Sequence, residues 1–280
     1  MGGGAMTKRA AASALRYLIL SVFALLVVLP FAFMISTSLK PPSEIYEVPF
    51  RWLPRHPTLA SYQRALEQTS LVRGTLNTLT IAVPATLGGL LTASFAGFAF
   101  AKLRFPGKDR LFAVLMSTMM LPGIVTLIPQ FSGFARIGWV DTYWPLIVPG
   151  AMGTALATFM MRQYFLTIPD EIVEAAALDG ATPLKTFTRI VFPLARPALV
   201  TLGVFGLKAA WNDYFGPLVY IASPQKMTIQ QMIAGTQNAY GGEPGVLMAA
   251  ATLAMLPLVV LFLFAQRVFV EGITTTGLKG

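Results

Sequence analysis

The sequence predicts an all-α protein that crosses a membrane several times and forms a single domain. Of its 280 residues, 55% are hydrophobic and only 12% are charged. The mean hydropathy of +0.65 lies far above that of an ordinary soluble domain. The apolar residues are gathered into long uncharged runs, and a bilayer-spanning helix needs about 20 such residues. We therefore expect six transmembrane helices, with a pair of short cytoplasmic helices between the fourth and the fifth.

Uncharged runs of 23, 28, 25, 20 and 23 residues predict spans at about 17–39, 75–101, 111–133, 142–161 and 245–266. A further span at about 198–221 is interrupted only by Lys208 and Asp213. The first run follows basic residues as a signal peptide would. It is long, however, and no small-residue cleavage site precedes Lys40, so we interpret it as a retained helix. Six spans place both termini on the same side of the membrane.

The basic residues are distributed unevenly between the two sides. Of the 21 Lys and Arg residues, 13 lie in segments on the side of the termini and 7 on the other side, while Lys208 lies within a span. The positive-inside rule therefore places both termini in the cytoplasm. The net charge of +9 follows from this topology, so we expect no nucleic-acid partner. The longest external segment, 40–73, is either a folded cap or a docking surface for an external partner.

Residues 169–193 are too polar to span a bilayer, although they lie between two predicted spans. Pro169 and the two acidic residues after it are typical of a helix start. Gly180 favours the left-handed conformation that commonly ends a helix. Thr182, followed by proline, predicts the N-cap of a second helix that ends at or just before Pro193. The stretch is therefore expected to form two short helices that meet at a glycine turn on the cytoplasmic side.

From Glu174 onward this stretch reads Glu-Ala-Ala, three residues, Gly, nine residues, Ile, one residue and Phe-Pro. The pattern resembles the signature loop of permease subunits of binding-protein-dependent ABC importers, although the family more often has Leu where Phe192 stands. The resemblance implies a coupling helix docked in a cleft of a separate ATPase subunit. The residues that carry it are Glu174, Ala175, Ala176, Gly180, Ile190 and Pro193. A lone glutamate would more often be a solvated loop charge, so the assignment depends on the whole pattern.

The resemblance extends to the carboxyl end. Residues 271–280, within a tail at 268–280, are similar to the tail of the MalG type of carbohydrate permease, which implies that Thr276, Gly277 and Lys279 contact the ATPase. It further implies a prokaryotic inner or plasma membrane location and an assembly with a second permease subunit, two ABC ATPase subunits and an extracytoplasmic solute-binding protein. The implied substrate is a sugar or oligosaccharide. Without the resemblance, a tail rich in Gly and Thr would be expected to fray.

Polar side chains within the predicted fifth span are a second candidate site. Trp211, Asn212 and Asp213 are consecutive, and Lys208 precedes them. One hypothesis is that they face the translocation pathway, where amide and carboxylate groups suit sugar hydroxyls. The other is a polar clamp between helices or subunits. Lys208 and Asp213 are five positions apart, or about 140° around a helix, so they are not expected to pair with each other.

Several kinds of chemistry are not expected of this chain. It has no Gly, four residues, Gly-Lys-Ser/Thr phosphate loop, so ATP and magnesium are expected on the partner ATPase and no cofactor on this chain. The absence of cysteine and the single histidine leave no usual metal-ligand set. We therefore expect a non-enzymatic permease. The alternatives are a permease for glycerol phosphates or polyols, and an ion-coupled secondary carrier that uses Asp213 or Lys208.

Overall fold

The computed structural model describes the backbone of residues 3–49, 51–239 and 243–277, and the side chains of 13–49, 51–67, 69–236 and 243–266. Within these residues the secondary structure is helical throughout, without a strand, which confirms the predicted all-α class. The first eight helices are α1 (Gly3–Ser38), α2 (Pro42–Ile45), α3 (Ala60–Gln68), α4 (Leu71–Lys102), α5 (Lys108–Ser117), α6 (Gly123–Arg136), α7 (Trp144–Ala151) and α8 (Ala155–Leu166).

The second half contains shorter helices before a long last one. They are α9 (Asp170–Leu178), α10 (Pro183–Thr186), α11 (Phe192–Leu194), α12 (Arg196–Asn212), α13 (Phe215–Tyr220), α14 (Ile229–Ala239) and α15 (Pro244–Gly277). Single 3₁₀ turns lie at Thr118–Met120 and Pro224–Lys226, and a π-helical stretch at Phe187–Val191 joins α10 to α11.

Four helical segments are long and apolar enough to cross a membrane: Ser13–Ser38, Leu71–Lys102, Trp144–Leu166 and Pro244–Gln266. Two bent pairs meet the same test together, so that the described residues contain between four and six candidate spans. These pairs are Lys108–Met120 with Gly123–Arg136, bent by 97°, and Pro183–Leu194 with Arg196–Asn212, bent by 77°. The first bend occurs where Leu121 and Pro122 are both extended, because a residue before proline disfavours the helical conformation.

The predicted fifth span is not one continuous helix. Helix α12 ends at Asn212, and Asp213 is extended, with φ −69° and ψ 116°. The Asp213 carboxylate then accepts a hydrogen bond from the backbone N–H of Gly216 at 3.0 Å, which satisfies a free amide in the first turn of α13. A side chain that the sequence suggests for a pathway or a clamp therefore also ends one helix and starts the next.

By its internal packing the chain divides into two compact units, residues 1–71 with 233–255, and residues 72–232 with 256–280. In the first unit, Ser38 and Tyr62 share a hydrogen bond of 2.8 Å between their hydroxyl groups. Arg64 forms an ion pair of 2.5 Å with Glu243. These contacts join the end of α1, helix α3 and the residue before α15. The apolar side chains of α1 between residues 13 and 32 remain exposed within the chain.

In the second unit, α4 and α8 pack closely because a glycine lies at their contact. A β-carbon on Gly97 would lie 2.8 Å from the Cβ of Met161 and 2.9 Å from the backbone nitrogen of Arg162. No side chain larger than hydrogen fits there without a shift of the backbone. The core beside this contact consists of Ala93, Phe98, Met161, Phe165, Ile168, Phe187, Val191 and Ala195.

Asp141 fixes the connection after α13 to the segment before α7. Its carboxylate accepts hydrogen bonds from the backbone N–H groups of Ala222 at 3.0 Å and Ser223 at 2.9 Å, and from the Ser223 hydroxyl at 2.5 Å. The ammonium group of Lys226 lies 3.0 Å away. The Ser223 hydrogen bonds and Lys226 hold the pKa of Asp141 well below its ordinary value. The carboxylate therefore stays charged and keeps this loop in place.

Candidate functional site

The stretch from Asp170 to Leu194 forms the predicted pair of short helices. Helix α9 is closed by a Schellman motif, in which Ala181 N–H donates to the Ala176 carbonyl at 2.9 Å and Gly180 N–H to the Ala177 carbonyl at 3.0 Å. Gly180 has φ +77°, the left-handed conformation that this motif requires. The Thr182 hydroxyl then accepts a hydrogen bond from Lys185 N–H at 3.3 Å and caps α10. The sequence therefore dictates this turn locally.

One side of the pair is anchored and the other is exposed. Ala176, Thr186 and Phe187 are buried, whereas Glu174, Ala175 and Gly180 are exposed. The side chain of Leu178 is 90% exposed and that of Leu184 is 60% exposed. Both leucines are therefore available for burial by a partner. The outward side of α9 and α10 therefore combines acidic groups, small alanines and unburied leucines.

The inward side is held by aromatic packing. The Phe187 ring lies 4.4 Å from that of Phe95 and 5.2 Å from that of Phe98, both on α4, and 6.4 Å from that of Phe165 on α8. Val191 is fully buried beside it. Of the other predicted coupling residues in this part, Ile190 is half-buried and Pro193 is exposed within α11. The helix pair is thus fixed to two long helices of the same unit.

A buried lysine holds the start of α9. The Lys102 ammonium group, on a side chain only 2% exposed, lies 2.5 Å from the Asp170 carboxylate and donates to the Ile168 carbonyl at 2.5 Å. The hydrogen bond that Lys102 donates to the Asp170 carboxylate, together with the charge of Lys102, lowers the pKa of Asp170 below its usual value of 3.8. Because that pKa is lowered, the ion pair between Lys102 and Asp170 contributes its full stability above pH 3.8. This contribution is lost as the pH falls through the lowered pKa.

Lys102 is not among the residues that the sequence predicted for this site. Lys102 and Asp170 are 68 positions apart in sequence, and nothing in the pattern around either residue indicates the other. The only available signal was the position of Lys102 at the end of a predicted span, on the same side as the polar stretch. Their contact places the carboxyl end of α4 and the start of α9 at the same end of this unit.

The second candidate cluster is only partly brought together. Trp211 is buried, with 4% of its surface exposed. Asn212 is exposed, and its side-chain oxygen accepts from the Gln230 amide at 3.3 Å, while its own amide donates to the Lys208 carbonyl at 2.9 Å. The Lys208 side chain is exposed. Gln230 is therefore a neighbour of Asn212 that the sequence did not reveal, and the assignment of this cluster to a pathway stays a prediction.

An apolar groove of about 590 Å³ lies beside this cluster, between α4, α7, α8 and α12. Among the described residues it is lined mainly by small and aliphatic side chains. Its polar side chains are the hydroxyl groups of Thr86 and Thr154. At its edge α4 and α7 pack closely, because a β-carbon on Gly89 would lie 2.6 Å from the Gly150 carbonyl oxygen. The groove therefore provides apolar walls and two hydroxyl groups to a ligand, and its described lining contains no charged side chain.

The tail residues Thr276, Gly277 and Lys279 lie outside the residues whose side chains the structure describes, so their predicted contact with the ATPase stays a prediction. Within the described part of the chain, no group of three or more His, Cys, Asp or Glu residues could hold a metal ion.

Known proteins are similar to this chain in sequence. The sequence profile of the family described as "Binding-protein-dependent transport system inner membrane component" matches residues 85–275. The chain is 35% identical over 266 residues to the sn-glycerol-3-phosphate transport system permease protein UgpE of Escherichia coli, which covers 91% of this chain and 93% of that protein. It is 32% identical over 204 residues to the arabinooligosaccharides transport system permease protein AraQ of Halalkalibacterium halodurans, covering 73% of each.

The fold is also similar to that of a solved structure. A chain in the crystal structure of a bacterial ABC transporter involved in the import of the acidic polysaccharide alginate superposes with a TM-score of 0.82. The two chains are 22% identical, and the match covers 93% of this chain and 97% of the other. At 22% identity, this similarity shows a shared fold and nothing about the substrate.

Proposed function

Because this chain belongs to the family of binding-protein-dependent transport system inner membrane components, we propose that it is one of two permease subunits of an importer for a sugar or oligosaccharide. Members of the family are non-catalytic, multi-pass inner-membrane subunits of ABC importers, which assemble with ABC ATPases and a binding protein. ATP is hydrolysed on the partner ATPase. Because the chain belongs to this family, the alternative of an ion-coupled secondary carrier is set aside.

The observation that supports the coupling role is the exposed side of α9 and α10. This side carries Glu174 and the unburied Leu178, beside the small residue Ala175. The alanine permits a close approach to the wall of a cleft, the leucine gains free energy when it is buried, and the glutamate offers a charge to a basic partner. This combination fits a docking site in a cleft of the ATPase.

The route from the docking site into the membrane consists of packed aromatic rings. A push on α9 and α10 moves Phe187, whose ring contacts α4 and α8. Val191, shortly before the bend into α12, and Ala195, at the bend itself, are both fully buried. Since close-packed interiors transmit displacement with little compression, closure of two ATPase subunits moves these helices as a body. That movement opens the pathway alternately to the two sides of the membrane.

The proposed orientation has both termini in the cytoplasm. The distribution of basic residues favours it. It is also supported by the contact between Lys102 and Asp170, because α9 and the carboxyl end of α4 must then lie on the same side. The ATPase could reach the helix pair only on that side.

A neutral carbohydrate is the proposed substrate. The groove beside α12 has no charged side chain in its described lining, and it contains two threonine hydroxyl groups. The similarity to an arabinooligosaccharide permease agrees with this proposal. A glycerol phosphate is the second candidate. It is favoured by the similarity to UgpE and by the exposed Lys208, for which no ion pair is present within the described residues.

Uptake by the reconstituted complex distinguishes these substrates. With labelled oligosaccharide, we expect ATP-dependent uptake that Lys208→Met changes by no more than about twofold, because the substituted residue is exposed. If the complex instead takes up glycerol phosphate, the loss of a charged partner should lower that uptake roughly tenfold. The control variant Lys208→Arg retains the charge. Glycerol-phosphate uptake that depends on Lys208 and is restored by arginine would contradict the carbohydrate assignment.

A further inference from the structure

The turn between α4 and α5 forms a shallow depression outside the coupling site. Its volume is about 520 Å³, and it is lined by Arg104, Phe105, Gly107, Lys108, Asp109 and Arg110. The lining therefore carries three cationic side chains against one carboxylate. Such a surface attracts an anion. The kind of anion depends on which cations are free to bind it and on their depth in the membrane.

Two arginines in the depression are available to a ligand. Lys108 is committed to the chain itself, because its ammonium group donates to the Leu103 carbonyl at 3.1 Å at the end of α4. Arg104 and Arg110 are exposed, and within the part of the chain that the structure describes neither forms a hydrogen bond or an ion pair. Arginine is well suited to phosphate, since its planar group can donate two parallel hydrogen bonds.

The surface next to Arg110 indicates the depth of this site. Val114 follows Arg110 by four positions on the same face of α5, and its side chain is 64% exposed. Leu111, one position after the arginine, is also exposed. The face thus changes from a guanidinium group to unburied aliphatic groups within one turn. In a chain that spans a membrane, this change is typical of the boundary between lipid headgroups and hydrocarbon.

We propose that Arg104 and Arg110 bind the phosphodiester group of an anionic phospholipid in the leaflet on the side of the coupling helices. This inference rests on the proposed function, because it uses the same orientation in the membrane. An acidic surface of the ATPase is the rival occupant. A lipid is favoured because its acyl chains would lie against the exposed side chains of Leu111 and Val114, whereas a water-soluble partner would contact only the arginines.

Native mass spectrometry of the purified complete transporter tests the proposal. The complex is exchanged into detergent that contains phosphatidylglycerol or phosphatidylcholine, and the bound lipids are counted. We expect retention of phosphatidylglycerol but not of phosphatidylcholine. Arg104→Gln and Arg110→Gln should each weaken this retention about fivefold, the usual effect of one basic residue near an anionic surface. Arg136→Gln, which removes an exposed arginine at the far end of α6, should leave it unchanged.

Three results would overturn the proposal. Equal lipid loss in Arg136→Gln would indicate a general charge effect. Displacement of the lipid by inorganic phosphate alone would indicate a site for a free anion. Dissociation of the ATPase from the arginine variants, with lipid retention unchanged, would assign the surface to that protein. Because lipid retention is counted separately from ATPase subunits, a wild-type permease that never binds ATPase would contradict the proposed function and leave the lipid result readable.

Discussion

Replacement of Leu178 by glutamine is expected to weaken activation of the partner ATPase by about thirtyfold, while the permease still folds and reaches the membrane. Leu178 is 90% exposed, so its own chain gains almost nothing from it. Buried in a cleft of the ATPase, the same side chain would act as an apolar anchor, and the loss of such an anchor costs about 2 kcal/mol. Glutamine retains the length and the helix propensity of leucine.

The measurement is ATP hydrolysis by the reconstituted complex at increasing ATPase concentration, with substrate-loaded binding protein held at saturation so that its own docking does not limit activation. Leu53→Gln is the matched control, because Leu53 is also an unburied leucine, 79% exposed, in the segment predicted to be external. Leu178→Gln should shift the concentration of ATPase needed for activation, whereas Leu53→Gln should not. Unchanged activation in Leu178→Gln would contradict a role for this leucine in docking.

Replacement of Lys102 by methionine is the change with the second largest expected effect. It removes the ion pair with Asp170 and the hydrogen bond to the Ile168 carbonyl, while the length and the apolar part of the side chain remain. Because hydrogen bonds to charged groups are among the stronger ones, we expect local opening of α9 to increase roughly tenfold. Coupling between ATP hydrolysis and uptake should weaken with it.

Hydrogen–deuterium exchange of the amides in residues 172–178 measures this opening. Lys185→Met is the control, since Lys185 is an exposed lysine of α10 whose loss should leave the exchange in α9 unchanged. Faster exchange in both variants would indicate a general effect of lost positive charge. Unchanged exchange in Lys102→Met would mean that the ion pair does not hold α9 in place.

Features set by neighbouring residues could be predicted from the sequence. The turn between α9 and α10 follows from Gly180, which adopts a left-handed conformation at little cost, and from the capping hydroxyl of Thr182. The all-α class follows from uncharged runs long enough to cross a bilayer. In each case the determining chemistry lies within a few positions of the structure that it produces.

Features that depend on distant residues could not be predicted. The ion pair between Lys102 and Asp170 joins two helices far apart in sequence, and a lysine at the end of an apolar run is usually interpreted only as a topological signal. The interruption at Asp213 is an exception, because it arises locally from a hydrogen bond to the Gly216 amide three positions later, but the apolar residues on both sides favoured one continuous span. The neighbour of Asn212 on α14, Gln230, is known only once the two helices are packed.

A cross-link from the outward side of α9 and α10 tests whether these helices dock on the ATPase. The chain contains no cysteine, so Ala175→Cys provides a single thiol on this exposed side, to which a short photo-activated cross-linker can be attached. Ala222→Cys, on an exposed alanine after α13, is the control. We expect a covalent adduct between permease and ATPase from position 175 and none from position 222. Absence of the adduct at 175 in an assembled, active complex would contradict this docking.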